Sequence, residues 1–423
     1  MKKLALISYY FPPLAGVGVF RWAQICKYLA IRGYEIHVIT VNWKNDGPNS
    51  LTNCLDDKRI QVHRLASGYP NNLARRQIGN RLLRGLRNKI FSSILHPFFF
   101  PHDEAQRWGN HVIPYVTRLL EAKKISTVIA TGSPFFSNVI AAQLKQQNKD
   151  IILIQDFRDS WASNPSIPQY NTDEDLRAEA LSLENFSIKS ADAVVSVTHG
   201  VQKEICKDFS EIPSYMIHNG FDPEAITPVP HYNGEASNKP FVFIYTGEIG
   251  QNRIEDCRAF LLALRKLTNA NIKIEFIGGF PASLTKEFSD LFTSNIITCC
   301  GKLSHHETLK KLATADAALS FLPRDYPIAI PTKIYEYIGL HKPVFSISYG
   351  GDLKKLLDEF HWGVEACPDD DNIDKKITSF IHNIANFKFN EDDVKKFSYT
   401  SVAKQFDDLI VLLQNKKHTI NTA

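Results

Sequence analysis

Two series of short apolar segments, each alternating with helix-period stretches, constrain this chain more than any other feature. In the first series, Leu4–Ser8, Glu35–Val41, Thr127–Ala130, Ile151–Gln155, Ala193–Val197 and Tyr215–Ile217 read as strands. In the second, Phe241–Tyr245, Ile272–Ile277, Ile296–Cys300, Ala317–Phe321 and Val344–Ser348 do so, with helices such as Cys257–Leu267 and His305–Ala313 between them. Short, near-continuous apolar strands suit parallel sheets covered by helices on both faces. The rhythm predicts a doubly wound α/β fold, and its repetition predicts two such domains. The expected division is a first domain over 1–221, a Pro-rich polar linker over 222–240, a second domain over 241–395 and a terminal segment over 396–423. That segment holds a helix at about Ser401–Leu413.

Size agrees, because 423 residues exceed the usual single core. A net charge of +4 argues against a protein whose whole surface binds nucleic acid. No apolar run approaches the roughly 18 residues needed to span a bilayer. The start, Met1-Lys2-Lys3 and then Leu4–Ser8, imitates a signal peptide briefly but leads into Tyr9-Tyr10-Phe11-Pro12-Pro13 with no small-residue cleavage site, so a buried first strand is expected. Cys26, Cys54, Cys206, Cys257, Cys299, Cys300 and Cys367 are scattered, odd in number and form no C-x-x-C pair. Reduced thiols in a cytoplasmic protein without structural zinc are expected.

Chemistry is expected where strands end, because open α/β sheets bind ligands at strand carboxyl ends. The first strand runs into Pro12-Pro13-Leu14-Ala15-Gly16-Val17-Gly18-Val19-Phe20-Arg21. Gly16 and Gly18 would let backbone N–H groups approach a phosphate, with Arg21 adding charge, although a tight turn with no ligand fits as well. Thr131-Gly132-Ser133-Pro134 is a second such loop, or an N-capped helix start. In Gln155-Asp156-Phe157-Arg158-Asp159-Ser160-Trp161, two carboxylates and a guanidinium crowd the end of a buried strand; they are either functional or paired with one another. His218-Asn219-Gly220-Phe221-Asp222 is turn chemistry at the end of the first series.

In the second series, Thr246-Gly247-Glu248-Ile249-Gly250-Gln251-Asn252-Arg253 joins open glycine turns to a cation fit for phosphate. Gly278-Gly279 and Gly301-Lys302-Leu303-Ser304 follow further strands, with His305 and His306 read as solvated helix-start residues. Pro331-Thr332-Lys333-Ile334-Tyr335-Glu336-Tyr337 opens a helix that Gly339 and Pro343 stop. A helix start beside Lys333 suits an anion, and Glu336 one turn on suits paired hydroxyls such as those of a ribose. Asp369-Asp370-Asp371 reads as a solvated polar turn, and no cluster has metal-ligand spacing.

The run Pro331–Pro343 resembles the P-S-K-x-x-E-Y-x-A-x-G-K-P signature of family-4-like retaining glycosyltransferases of the GT-B fold. Asp156–Trp161 is similar to the D-F-R-D-P-W motif of their bacterial surface-polysaccharide branch (group 1 glycosyltransferases). The resemblance implies two Rossmann-like domains facing a cleft. It implies donor binding by Gly16, Gly18, Gly247, Glu248, Arg253, Gly278, Lys302, Thr332, Lys333 and Glu336, with Glu336 on the ribose. It implies catalytic roles for Asp156, Arg158, Asp159, Arg253 and Lys333, and an acceptor side at Arg21, Thr131 and Ser133. Two departures stand out. Asp156 occupies the place where other members carry a His near the sugar. Eight positions before Glu336, where members often carry a further Glu, stands Ile328, and Asp325 is out of register for that role.

Between Asp57 and Asp103 there is no acidic residue, but there are Arg75, Arg76, Arg81, Arg84, Arg87 and Lys89. Leu82, Leu83, Leu86, Ile90 and Ile94 share one helical face, and Pro97-Phe98-Phe99-Phe100-Pro101 follows. Such an insertion, about 70–101, suits the surface of an anionic membrane, or a helix packed on the first domain with a solvated basic face.

The expected protein is therefore a metal-independent enzyme without a cofactor. It would move a sugar from a UDP- or GDP-sugar to a glycan or lipid-linked acceptor in capsule, O-antigen or exopolysaccharide synthesis, with retention. It would work in the cytoplasm against the inner face of the membrane. A sugar-nucleotide epimerase of the same fold and a non-catalytic nucleotide-sugar-binding partner stay open as rivals.

Overall fold

The computed structural model describes residues 2–14, 16–42, 55–68, 101–226, 239–267 and 271–422. The first run of elements is β1 (Lys2–Ser8), α1 (Val17–Ile31), β2 (Tyr34–Val41), β3 (Ile60–Leu65), α2 (Gly109–Lys123), β4 (Thr127–Gly132), α3 (Phe136–Gln147), β5 (Ile152–Phe157), α4 (Pro168–Thr172), α5 (Glu174–Lys189), β6 (Ala193–Ser196), α6 (His199–Ile205) and β7 (Ser214–Met216). The second is β8 (Phe241–Thr246), α7 (Ile254–Arg265), β9 (Ile272–Ile277), α8 (Ala282–Glu287), α9 (Ser289–Thr293), β10 (Ile297–Gly301), α10 (His305–Thr314), β11 (Ala317–Phe321), α11 (Lys333–Gly339), β12 (Val344–Ile347), α12 (Asp352–Phe360), β13 (Gly363–Ala366), α13 (Ile373–His382), α14 (Glu391–Lys395) and α15 (Tyr399–Thr422). They form two compact units, 1–218 with 403–423, and 219–402.

The first unit holds a seven-stranded parallel sheet in the order β3-β2-β1-β4-β5-β6-β7. Its chain order reverses between β1 and β4, the switch point at which such sheets open a crevice for ligands. The pairing Ile7–Ala130 and Ser8–Thr131 brings the ends of these two strands level. Central strands are buried on both faces; Leu4, Leu6, Val128, Ile129, Leu153 and Ile154 have no exposed surface. Each such aliphatic side chain contributes about 1.5–3 kcal/mol on burial.

The second unit repeats the plan with six parallel strands in the order β10-β9-β8-β11-β12-β13, reversing between β8 and β11. Phe243, Phe260, Phe345 and Phe380 pack in one of its cores, and Ile334, Tyr335, Trp362 and Phe397 in another. Within this unit Phe221 pairs with Phe397 and Tyr399, its N–H donating at 3.0 Å and its carbonyl accepting at 2.9 Å.

The terminal helix is longer than its apolar spacing suggests, and its last residues are integral to the first unit. Asp407 accepts from Lys2 Nζ at 2.6 Å, Tyr34 OH at 2.8 Å and Arg32 Nε at 2.9 Å. Phe406 packs on Trp22 with ring centroids 5.0 Å apart. Among the described residues no helix is long and apolar enough to cross a membrane. The basic insertion lies outside the described residues except at its last position, Pro101, as does 227–238 of the expected linker.

Candidate active site

In the second unit three strand-end loops are bonded in a row. Gly247 N donates to Ile277 O at 2.8 Å, Ile249 N to Gly279 O at 3.0 Å, and Gly278 N to Gly301 O at 2.8 Å. This closeness requires glycine. Gly278 has φ +124°, and a Cβ there would lie 2.3 Å from the carbonyl oxygen of Gly247. Gly247, Glu248 and Lys302 are exposed on these loops.

Across the switch point, α11 is pinned to the end of β8. Tyr337 OH lies 2.9 Å from Thr246 Oγ1 and accepts from Thr246 N at 3.2 Å. That docking sets Lys333 against β8: its Nζ donates to Thr246 O at 3.0 Å and stands 3.3 Å from the centre of the Tyr245 ring. Burial lowers the ammonium pKa of Lys333 well below its usual value, and the Arg253 charge lowers it further. Arg253 ends the 3₁₀ turn Gln251–Arg253, and its Nε is buried without a partner among the described residues. Neither cation forms an ion pair with a carboxylate among the described residues; the nearby acid Asp256 is pushed up to about 7, chiefly by burial. Two like charges held together in this way form an arrangement that an anion would relieve.

Glu336 shares a face of α11 with Lys333, three positions on. Its Oε1 lies 2.7 Å from Nε2 of His305, at the start of α10. The Glu336 hydrogen bond raises the pKa of His305. Thr332 is half-buried and makes no cap hydrogen bond to α11. With seven residues α11 is short, so side-chain charge rather than an extended helix dipole dominates here.

In the first unit the loops after β1, β4 and β5 converge. Asp156 is wholly buried and accepts from Arg21 Nη2 at 3.1 Å, Trp22 Nε1 at 2.7 Å and Thr131 Oγ1 at 2.9 Å. Arg21, also buried, donates to the carbonyls of His218 at 2.7 Å and Ile217 at 3.0 Å. This network ties four segments together and leaves Asp156 facing protein on every side, which gives it a positioning geometry. Arg158 and Asp159 are half-buried and Ser133 is exposed. Arg158 donates to Gly132 O at 2.6 Å and Ser133 O at 2.8 Å, with Gly18 beneath it. Gly16 is the exposed N-cap of α1.

Each unit thus collects its own sequence-derived candidates. In the first, Arg21, Thr131 and Asp156 are bonded together and Gly18, Ser133 and Arg158 are in contact, while Gly16 starts α1 and Asp159 follows Arg158 in the chain. Gly247, Glu248, Arg253, Gly278, Lys302, Thr332, Lys333 and Glu336 lie at strand ends or helix starts of the second. The buried supports were not visible in the sequence. Trp161 Nε1 donates to Tyr170 OH at 2.8 Å, and Trp161 N donates to Glu184 at 2.7 Å. Asp103 accepts from Phe136 N at 2.9 Å and is pushed up to about 6 by burial. Asp325 is exposed, and Asp370 is taken by Lys376 at 2.7 Å and by the N–H of Cys367 at 3.0 Å. No group of His, Cys, Asp and Glu among the described residues could hold a metal ion.

The family model Glycosyltransferase Family 4 matches residues 18–225. The chain is a family-4-like glycosyltransferase. No curated protein matches it in sequence. Among solved structures it is similar to sucrose-phosphate synthase from Thermosynechococcus elongatus, with 15% identity, 98% of this chain and 100% of the other covered, and a TM-score of 0.67. It is similar to HepE from Anabaena, solved with UDP and glucose (14% identity, 97% and 99% covered, TM-score 0.62). It is also similar to the lipopolysaccharide outer core galactosyltransferase WaaB (15% identity, 97% and 99% covered, TM-score 0.60). At these identities the likeness is one of fold, and that fold is GT-B, built of two Rossmann-like domains.

Proposed function

We propose that this glycosyltransferase takes a nucleoside-diphosphate sugar as donor and passes the sugar, with retention, to a glycan or lipid-linked acceptor in bacterial surface-polysaccharide synthesis. The carrying observation is the Lys333–Arg253 pair: the Arg253 charge acts on the buried Lys333, the buried Nε of Arg253 has no hydrogen-bond partner, and neither cation forms an ion pair with a carboxylate among the described residues. A diphosphate would favour the charged form of Lys333 and occupy the buried Nε of Arg253. Glu336, on the same face of α11, would accept from the ribose hydroxyls. The exposed turns at Gly247, Glu248, Gly278 and Lys302 offer backbone and charge to the rest of the nucleotide. HepE, of the same fold, was solved with UDP and glucose, which supports a uridine nucleotide as the first donor to try.

In this reading the bond from the sugar's anomeric carbon to the diphosphate breaks, a bond to an acceptor hydroxyl oxygen forms, and the acceptor proton passes to an oxygen of the departing diphosphate. Lys333 and Arg253 stabilise the charge growing on the departing diphosphate. The first unit's Ser133, Arg158 and Asp159 would meet the acceptor, held in place by the buried Arg21–Asp156–Thr131 network. The basic stretch 70–101 supports contact with the inner leaflet. A thermal-shift screen of nucleotide-sugars tests the donor site, since a bound donor stabilises the fold. Nucleoside diphosphate release that requires an added acceptor tests transfer. Product without acceptor would favour epimerisation, and binding without turnover would leave only a binding protein.

A further inference from the structure

We propose that His305 is a positioning residue for Glu336, fixing its carboxylate for the ribose of the donor; this rests on the donor reading above. Glu336 rides on α11 and His305 on α10, so their 2.7 Å contact joins two elements that are separate in sequence. One carboxylate oxygen, Oε1, is held by the imidazole. Among the described residues no other hydrogen bond to the Glu336 carboxylate is formed, and its second oxygen with the spare lone pair of Oε1 gives enough acceptors for two adjacent hydroxyls.

The charged groups facing His305 are Glu336 from α11 and Asp222 from the segment after Phe221, and both favour its protonated form. On its own element, Glu307 is turned into the capping box with Ser304, where Ser304 N donates to it at 2.9 Å. A cationic His305 holds the Glu336 carboxylate in place through that 2.7 Å contact. As pH rises through the raised pKa of His305, the charge is lost and the hold weakens.

The test is calorimetric titration of the full chain with UDP, GDP and ADP and their 2′,3′-dideoxy counterparts, from about pH 6 to about pH 9. The ratio of ribo- to dideoxynucleotide affinity cancels the phosphate contribution, and with it any titration of Lys333. In the native protein that ratio falls roughly threefold to fivefold as pH rises through the His305 pKa. His305→Gln, which keeps a donor without a charge, gives a flat profile near the native high-pH value. His305→Ala gives a flat profile about tenfold lower than the native low-pH value. A His305→Ala ratio equal to or above the native one, or a pH dependence that survives in His305→Gln, overturns the proposal. The donor reading fails separately: Glu336→Ala would then leave ribonucleotide affinity unchanged.

Discussion

Nη1 of Arg158 lies 2.1 Å from the point where a side chain on Gly18 would begin. A methyl group at Gly18, in the first turn of α1, would therefore have to displace the guanidinium of a distant strand end. The same guanidinium bonds Gly132 and Ser133, so one side chain joins three loops.

Gly18→Ala should accordingly cost about 1–3 kcal/mol, the usual range for overpacking, read from the urea midpoint. Arg158→Ala in the same chain should recover part of that loss, because the two changes share one space and their effects do not add. Equal losses in the presence and absence of Arg158 would contradict the packing.

Asp156→Ala leaves the buried Arg21 without its carboxylate. Removing one partner of a buried pair costs about 3–5 kcal/mol, so denaturant titration should show a large loss. Adding Arg21→Met should restore a good part of it. A loss below about 1 kcal/mol would mean that the network does not hold the loops together.

Lys333→Met should stabilise the ligand-free protein while weakening donor binding. The folded-state pKa of Lys333 is lowered, so between that value and 10.5 the unfolded chain binds the extra proton. Native stability contributed by this group therefore rises as pH rises through that window and is lowest below it. Melting temperatures over that range should show the slope in the native protein and its loss in Lys333→Met. A variant that is less stable at neutral pH would refute the strained-cation view.

Charge reversal at Arg81, Arg84 and Arg87 should abolish sedimentation with anionic vesicles, if the basic stretch is the membrane contact. Equal binding of the native chain to neutral and anionic vesicles would remove that assignment.

The sheet interiors were legible because their strands are apolar on both faces, as β1 and β11 are. The strands missed are both edges. β3 interleaves His63 and Arg64 with Val62, and β13 is four residues long with Glu365 inside it, so neither carries a buried-strand signal. Lys333, Glu336 and Arg253 stood out because charged residues beside glycine turns at strand ends are conspicuous. His305 did not, since its importance comes from a residue 31 positions away. Nor did the covered side of Asp156: a carboxylate near Arg158 suggested a local pair, whereas its real partners are Arg21, Trp22 and Thr131 on other elements.

The most direct test is the dissociation constant of UDP and GDP, by titration calorimetry, for the native chain, Lys333→Met and Arg253→Met. Hydrogen bonds to charged groups are worth about 1.5–3 kcal/mol, so each variant should bind about 10- to 100-fold more weakly. Native-like affinity in both variants would contradict a diphosphate site between these two cations.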